Sequence, residues 1–237
     1  MVLVARGEPA LRELATDLEA LHGISAHVCP ADLTAPGGVA DVATWLEARQ
    51  LRVGTLVNNA GVGVHGSFAP SNFDAQRLML RLNVEALTEL THRLITPMVE
   101  RGIGRVLNVS SVAAFQPGPY AATYHASKSY VLSFSEGLGA ELRGTGVTVT
   151  ALCPGPVDTP FVAEMHLGRL QRLFLLPPDR VARIGYRAML RGRAVVVPGL
   201  SARFMVLGSR LAPRPFLNAV TARQMGQAAG ERGTPRR

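Results

Sequence analysis

The segment "GRVLNVSSVAAFQPGPYAATYHASK" (residues 104–128) joins a predicted strand to a predicted helix. The strand covers 104–110, a short apolar run, and the helix covers 122–143. Tyr124 and Lys128 lie four residues apart on this helix, so their side chains share one face. Lys128 is the only lysine of the chain, since every other one of the 25 Lys and Arg residues is an arginine. Position 128 therefore calls for something that arginine does not supply.

Strand and helix patterns alternate on both sides of this segment. We predict one domain over 1–225, ending in a basic amphipathic stretch at 200–225, and a disordered basic tail over 226–237. Strands separated by helices indicate βαβ units, and therefore the α/β class with a doubly wound parallel sheet. The other strands are predicted at 1–5, 24–29, 54–59, 147–153 and 194–197, and the other helices at 9–22, 38–50, 72–100 and 178–191.

The chain has 237 residues, of which 47% are apolar. This length and composition fit one globular domain with a substantial core. Cys29 and Cys153 end two strand patterns, where cysteine is usually a small buried residue. We therefore predict no disulfide and a reducing, cytoplasmic location. No stretch approaches the roughly 18 apolar residues of a membrane span, which predicts a soluble protein. No metal site is predicted.

The net charge of +8 raises the question of nucleic-acid binding. The arginines are spread along the chain, without an aromatic stacking pattern or a recognised binding motif. Solvated arginine is the favoured interpretation, and we predict no nucleic-acid partner.

The stretch "GVGVHG" (61–66) matches the G-x-G-x-x-G pattern of dinucleotide-binding loops. That loop places a pyrophosphate on the N-terminus of a helix that must begin at once. Here a loop with Pro70 follows, and no helix is predicted before about residue 72. We therefore reject this match.

The pair Tyr124 and Lys128 suggests acid–base chemistry. A tyrosine has a reference pKa near 10, and a neighbouring ammonium favours the phenolate, which brings the pKa toward the working range. A compact ammonium can also hydrogen-bond a ligand hydroxyl, whereas the guanidinium of arginine is bulkier and planar. The alternative is an unrelated tyrosine and lysine on a surface helix, because Y-x-x-x-K alone is a weak motif.

Four further pieces stand around this pair in order. They are "LVNNAG" (56–61), "RLNVEALTEL" (81–90), Ser111 thirteen residues before Tyr124, and "CPGPVDT" (153–159). Together with Y-x-x-x-K they resemble the short-chain dehydrogenase/reductase family over essentially the whole chain. The resemblance implies a Rossmann-like sheet and an NADP-dependent oxidoreductase.

The resemblance also implies catalytic roles. Tyr124 would be the general acid/base that gives a proton to a carbonyl or takes one from an alcohol, and Ser111 would hydrogen-bond the reacting oxygen. Lys128 would lower the tyrosine pKa and hold the nicotinamide ribose. Asn83 would fix a water that connects Lys128 to solvent.

Further residues would contact the cofactor. Arg6 follows the first strand, where the family often places a cation against the 2′-phosphate of NADP, so NADP is preferred over NAD. Glu8 is the nearest acid, and a solvated Arg6 is the alternative. Asn58 is expected to link strands rather than to touch the cofactor. The other implied cofactor contacts are Asp32, Leu33, Asn59, Ala60, Tyr124, Val157 and Thr159.

The chain departs from the family at its start. The family's first strand, its T-G-x-x-x-G-x-G loop and the following helix have no counterpart here. We expect this to leave unpaired edges at the strands "MVLVA" and "TLVNN", and to weaken folding and cofactor binding. A misassigned start is the favoured explanation, and a truncated remnant is the other.

We therefore predict an NADP-dependent enzyme that reduces a carbonyl, or oxidises a secondary alcohol, on an apolar small molecule. Two alternatives stay open: a non-catalytic remnant that acts only as an interaction partner, and a peripheral membrane protein that uses its basic C-terminal helix. A homo-oligomer is one option for the assembly. The predicted substrate walls are 62–68, 112–121, Phe161, Met165, Leu167 and Phe174.

Overall fold

The computed structural model describes residues 1–159 and 175–230. Strands and helices alternate in these ranges, as the sequence patterns predict. The strands are β1 (Val2–Ala5), β2 (His27–Pro30), β3 (Thr55–Asn58), β4 (Gly104–Val109), β5 (Val147–Leu152) and β6 (Val195–Val196). The helices are α1 (Glu8–His22), α2 (Gly38–Ala48), α3 (Phe73–Leu80), α4 (Leu87–Glu100), α5 (Ala122–Glu141), α6 (Pro178–Leu190), α7 (Leu200–Leu211) and α8 (Arg214–Gly230).

All strand pairs of the described residues are parallel. β3, β4, β5 and β6 form one sheet in that order, and β1 pairs with β2 in a second, two-stranded sheet. Because parallel neighbours need a crossover, a helix follows nearly every strand. The predicted α/β class with a parallel sheet is therefore confirmed.

The central strands β4 and β5 are buried on both faces, as strands of parallel sheets usually are, whereas β3 exposes Thr55 and Val57 on one face. Side chains alternate along a strand, so Val106 of β4 packs on one face and Leu107 on the other. The first face meets α2 and α4, where Met98 is fully buried. The second face meets α6 through Val181 and Met189. This packing fixes the ends of the central strands β4 and β5.

β1 and β3 each carry an edge that pairs with no strand among the described residues. A groove of about 930 Å³ lies between them. Its walls are mainly apolar and include Val2 and Val4 of β1, Val57 of β3 and Leu90 of α4. The expected unpaired edges at these two strands are therefore present in this part of the chain.

Two segments differ from the sequence predictions. The helix predicted over 72–100 contains a π-helical segment at Arg81–Ala86 between α3 and α4. The predicted start of the disordered tail, residue 226, is too early, because α8 continues to Gly230. Residues 231–237 lie outside the described part of the chain. None of the described helices is long and apolar enough to cross a membrane.

Candidate active site

The predicted catalytic residues meet at the carboxyl ends of the parallel strands, where ligands bind in open α/β sheets. Ser111 follows β4, Tyr124 lies in the first turn of α5, and Lys128 lies in the second turn. α5 is held against β4 by buried hydrogen bonds. Ser110 Oγ donates to the Lys128 carbonyl at 2.8 Å, and Asn108 Nδ2 donates to Ser135 Oγ at 2.9 Å.

Tyr124 and Lys128 share one face of α5, as their spacing predicts. Both are nearly buried, with 8% and 7% of their surface exposed. The Lys128 Nζ lies 5.9 Å from the centroid of the Tyr124 ring and donates to the Val109 carbonyl at 3.0 Å. The alternative of an unrelated pair on a surface helix is therefore wrong.

Ser111 is positioned by its own backbone. It is extended and precedes the 3-10 turn Val112–Phe115, and its Oγ accepts a hydrogen bond from the Ala113 N–H at 3.1 Å. Its side chain also hydrogen-bonds the Tyr124 phenol. The two hydroxyls predicted to contact a reacting oxygen are thus brought together.

The pKa of Tyr124 is raised above 10, because burial disfavours the phenolate. The hydrogen bond with Ser111 lowers this pKa, but it does not outweigh burial. The net shift of the Tyr124 pKa is therefore upward, opposite to the direction expected from Lys128 alone. The protonated phenol is the stable form at neutral pH.

Burial lowers the pKa of Lys128 from 10.5 to about 8, and the neighbouring Cys153 raises it slightly. A group with a pKa near 8 can release and take up a proton close to neutral pH. Arginine cannot do so, because its pKa exceeds 12. This is a second physical reason for the single lysine.

The pKa of Lys128 predicts how stability depends on pH. The native chain releases this proton near pH 8, whereas the unfolded chain holds it to about 10.5, so the unfolded state binds more protons between these values. Stability therefore rises with pH across this window, by about 3 kcal/mol for a shift of this size. Lys128→Met removes the group. We expect the difference in unfolding free energy between the parent and this variant to change by about 3 kcal/mol from pH 7 to 10.5, in favour of the parent.

Urea unfolding of both chains at several pH values measures this difference. The lost hydrogen bond to Val109 lowers the unfolding free energy of the Met variant equally at every pH. Only the pH dependence of the difference between the two chains therefore tests the lowered pKa. A difference that is independent of pH contradicts the lowered pKa.

Asn83 lies in the π-helical segment, a feature often found at functional sites. Its side chain accepts from the Val62 N–H at 3.0 Å, and donates to the Val62 carbonyl at 2.9 Å and to Ser127 Oγ at 3.2 Å. It therefore fixes the loop after β3 against α5. At Gly61, a Cβ would lie 3.2 Å from Asn83 Oδ1 and 3.4 Å from Lys128 Nζ. The two predicted residues thus flank one glycine.

Asn58 links strands, as predicted. Its Nδ2 donates to Asn108 Oδ1 of β4 at 2.8 Å and to Thr91 Oγ1 of α4 at 2.9 Å. The next two residues, Asn59 and Ala60, are exposed and border the groove beside β3. They are therefore accessible to a ligand at this edge, whereas Asn58 is not.

Two loops flank Tyr124. The loop after β3 has no helix before Phe73, which agrees with the rejection of the glycine match at 61–66. Its His65 ring centroid lies 5.9 Å from that of Tyr124. The second loop, at 116–121, is joined to the first by a hydrogen bond from the Gly66 N–H to the Tyr120 carbonyl at 2.7 Å. Both predicted walls 62–68 and 112–121 therefore surround the tyrosine.

His125 supports the second loop, and sequence reasoning missed it. Its Nδ1 lies 2.9 Å from the Gln116 carbonyl oxygen, and its ring fills the space beside Gly118, where a Cβ would lie 2.0 Å from Cδ2. Burial lowers the pKa of His125, which keeps the ring neutral. The only signal in the sequence was the position of this histidine directly after Tyr124.

Arg6 and Asp32 stand at the carboxyl ends of the paired strands β1 and β2. Hydrogen bonds from Thr34 to the Asp32 carboxylate lower the pKa of Asp32, and the exposed Arg6 lowers it further as a smaller cause. Leu33 is half-buried and lines the groove. A cation, a carboxylate and an apolar side chain thus meet at one end of the sheet.

Val157 and Thr159 follow β5. Val157 pairs with Leu176 and packs on the α6 face of the sheet, and Thr159 Oγ1 donates to the Val157 carbonyl at 3.2 Å. The predicted wall residues Phe161, Met165, Leu167 and Phe174 lie outside the described residues.

Lys128 and Arg6, at the two ends of this site, can each bind part of a dinucleotide, whereas the described residues between them offer no loop for its pyrophosphate. An ammonium carries three donors, and the described residues show one hydrogen bond from Lys128, to Val109, which suits a group that also binds ribose hydroxyls. Arg6 suits a phosphate at the other end. Helix α1 begins at Glu8, directly after Gly7. The described residues therefore show no glycine-rich phosphate loop before this helix.

Comparison with known proteins agrees with this geometry. Residues 1–169 match the family model for short chain dehydrogenase. The chain is 33% identical over 171 residues to 17-beta-hydroxysteroid dehydrogenase type 3 of Mus musculus, covering 70% of this chain and 54% of that protein. It is 34% identical over 164 residues to a putative ketoacyl reductase of Streptomyces coelicolor, covering 68% and 62%. The chain thus spans between half and two thirds of the length of these relatives.

Solved structures resemble the fold. A short-chain dehydrogenase from Sphingobium yanoikuyae in complex with NADPH superimposes with a TM-score of 0.78 at 31% identity, covering 88% of this chain and 82% of that one. A 7beta-hydroxysteroid dehydrogenase superimposes with a TM-score of 0.84 at 22% identity, covering 93% and 86%, and shows the fold alone. With its family match and its Ser111, Tyr124 and Lys128 assembled at the strand ends, the chain belongs to the short-chain dehydrogenase/reductase family.

Proposed function

We propose that this protein reduces a carbonyl on an apolar small molecule, or oxidises the corresponding secondary alcohol, with NADP as its cofactor. One observation carries the proposal. The Tyr124 hydroxyl is hydrogen-bonded to Ser111 and lies on the same helix face as a buried ammonium whose pKa is about 8. This arrangement can donate a proton to an oxygen and replace it from a nearby group.

The protonation state of Tyr124 favours reduction. Burial keeps the phenol protonated, so it can donate its proton to a carbonyl oxygen as that oxygen gains negative charge. Ser111 donates a second hydrogen bond to the same oxygen and stabilises that charge. The phenolate that forms is stabilised by the Lys128 ammonium beside it. The cofactor, when bound, supplies the hydride that adds to the carbonyl carbon.

Lys128 would hold the cofactor ribose and restore the proton of Tyr124. Asn83 flanks the same glycine as the Lys128 Nζ, which supports its proposed role in a water path from the lysine to solvent. Asn59 and Ala60 would line the cofactor at the end of β3, and Val157 and Thr159 would meet its carboxamide. Asp32 and Leu33 would bind the adenine.

An apolar substrate is supported by the residues around Tyr124. Met79, Ala113 and Ala121 pack with the tyrosine in one cluster, and Val62 and Val64 of the loop after β3 join it. The relatives act on compounds of this class by name, since they include a hydroxysteroid dehydrogenase and a putative ketoacyl reductase.

NADPH oxidation, followed by absorbance with a panel of hydrophobic ketones and aldehydes, tests the proposed activity. We expect ketone-dependent turnover with NADPH, and equimolar alcohol as the product. If the chain binds NADPH without turning over any carbonyl or alcohol, the reductase proposal is wrong. If it does not bind NADPH at all, the non-catalytic alternative is favoured.

Arg6 is the basis of the NADP preference. It is exposed at the end of β1, beside Asp32, where a 2′-phosphate would meet its guanidinium. We expect Arg6→Ala to raise the KM for NADPH about tenfold, the loss typical of one charge-assisted hydrogen bond, and to leave the KM for NADH nearly unchanged. Arg12→Ala is the control, because Arg12 is exposed on α1 and pairs with Glu8. Equal effects on both cofactors would show that Arg6 is structural.

A further inference from the structure

Exposed apolar side chains form a continuous ridge along α7. Leu200, Phe204, Leu207 and Leu211 are spaced by four, three and four residues, so they lie on one face of the helix. Their surfaces are 70%, 70%, 54% and 78% exposed. On α8, Phe216 and Val220 are also exposed and lie four residues apart. We call these six residues the C-terminal ridge.

The core does not account for this ridge, because α7 already uses its opposite face for packing. Ala202 and Val206 are buried there against Val112 and Phe115 of the 3-10 turn. An exposed apolar patch of this kind, next to charged residues, marks an interaction site.

The charge around the ridge has one sign. The two ridge helices and the residues between them (200–230) contain four arginines and no Asp or Glu, a net charge of +4. Within α7 and α8 the exposed arginines are Arg203, Arg210, Arg214 and Arg223.

We propose that the C-terminal ridge binds the surface of an anionic phospholipid bilayer. A helix with large apolar side chains on one face and arginines beside them lies in the membrane interface, with the apolar face in the acyl boundary and the cations at the headgroups. This inference does not depend on the proposed reductase activity.

A second copy of the chain fits the ridge less well. In a two-fold interface each copy presents the same patch to the other. The arginines of α7 and α8 would then face their own equivalents, and neither helix offers a carboxylate to pair with them. An anionic bilayer complements both the charge and the apolar surface.

The ridge lies on the helices that border the candidate active site. Ala202 Cβ of α7 lies 3.5 Å from the position of a Cβ at Gly155, in the loop after β5. On α8, a Cβ at Gly226 would lie 3.1 Å from the Tyr120 ring, in the loop beside Tyr124. A bilayer bound at the ridge would therefore be close to the site, and apolar compounds dissolved in it would have a short path there.

Co-sedimentation of the full chain with vesicles tests the proposal. One set contains phosphatidylcholine with about 30 mol% phosphatidylserine, and the other contains phosphatidylcholine alone. We expect binding to the anionic vesicles to be at least about tenfold stronger, since each arginine near such a surface contributes roughly fivefold. Raising the salt from about 0.05 to 0.5 M should weaken that binding, because the Debye length shortens.

The double variant Phe204→Glu with Leu207→Glu should lower vesicle binding at least about tenfold, since it puts two carboxylates on the ridge. Leu14→Glu with Leu21→Glu is the matched control: it makes the same change at two exposed positions of α1. We expect this control to bind like the parent. Both variants should keep the parent's circular dichroism and melting temperature, because all four side chains are exposed.

Three results would overturn the proposal. The first is equal or no binding to the two vesicle types. The second is an equal loss in the ridge variant and its control. The third is a dimer in sedimentation velocity that the ridge variant converts to a monomer, which would assign the ridge to a second copy of the chain.

Discussion

Tyr124→Phe is expected to lower the rate of carbonyl reduction by about 10²–10⁴-fold, the usual contribution of one general acid. The substitution removes the hydroxyl that Ser111 holds and leaves the phenyl ring in place. That ring packs against Met79, Ala113 and Ala121, so the fold should be retained. Cofactor binding should change little, because the proposed ribose contact belongs to Lys128.

Tyr130→Phe is the matched control for this prediction. Tyr130 lies on the same helix, is partly exposed, and its hydroxyl is 3.0 Å from Thr88 Oγ1. We expect this variant to turn over like the parent. Single-turnover rates, melting temperature and NADPH affinity of both variants distinguish lost chemistry from lost structure. If Tyr124→Phe turns over within a factor of two of the parent, the assignment of the general acid is wrong.

Lys128→Arg is expected to lower turnover by about 10²-fold, the loss that a displacement of about 1 Å can cause at a reacting centre. It should also weaken NADPH binding. The substitution keeps a positive charge, so a purely electrostatic surface role predicts no effect. Lys128 is buried, its Nζ donates to the Val109 carbonyl and lies 3.4 Å from the position of a Cβ at Gly61, so we expect the bulkier, planar guanidinium to displace its neighbours. A guanidinium also cannot release a proton near pH 8.

Arg143→Lys is the reverse exchange at an exposed position just after the end of α5 and should leave the kinetics unchanged. The pH profile of kcat separates the two effects at position 128. If the variant no longer restores the proton of Tyr124, kcat loses its pH dependence near pH 8. If the substitution only displaces the helix, kcat falls equally at every pH. Unchanged kinetics of Lys128→Arg would show that this lysine is an accident of composition.

Local patterns were sufficient to predict most elements of the fold. The spacing of apolar residues located the described strands and helices within a few residues, because each pattern depends on neighbours along the chain. The same holds for Tyr124 and Lys128, since residues four apart on any helix share a face. The C-terminus of α8 was missed, because "GQAA" (226–229) contributes little apolar periodicity.

The π-helical segment at 81–86 could not be predicted from the sequence. It sets the position of Asn83, whose side chain holds Val62 of a distant loop. A polar side chain in a helix is usually solvated, and nothing within ten residues indicates a partner twenty-one positions away. The supporting role of His125 was missed for the same reason, because its partner Gln116 lies in an irregular loop.

By itself, the sequence determined the α/β class and the order of its strands and helices, and through its family resemblance it predicted the set Asn83, Ser111, Tyr124 and Lys128. These follow from periodicity and from ordered motifs, which are properties of the linear chain. The tertiary structure alone decided that Tyr124 keeps a raised pKa and that the pKa of Lys128 falls to about 8. Both shifts arise from desolvation, and desolvation depends on residues far apart in sequence that pack around each side chain.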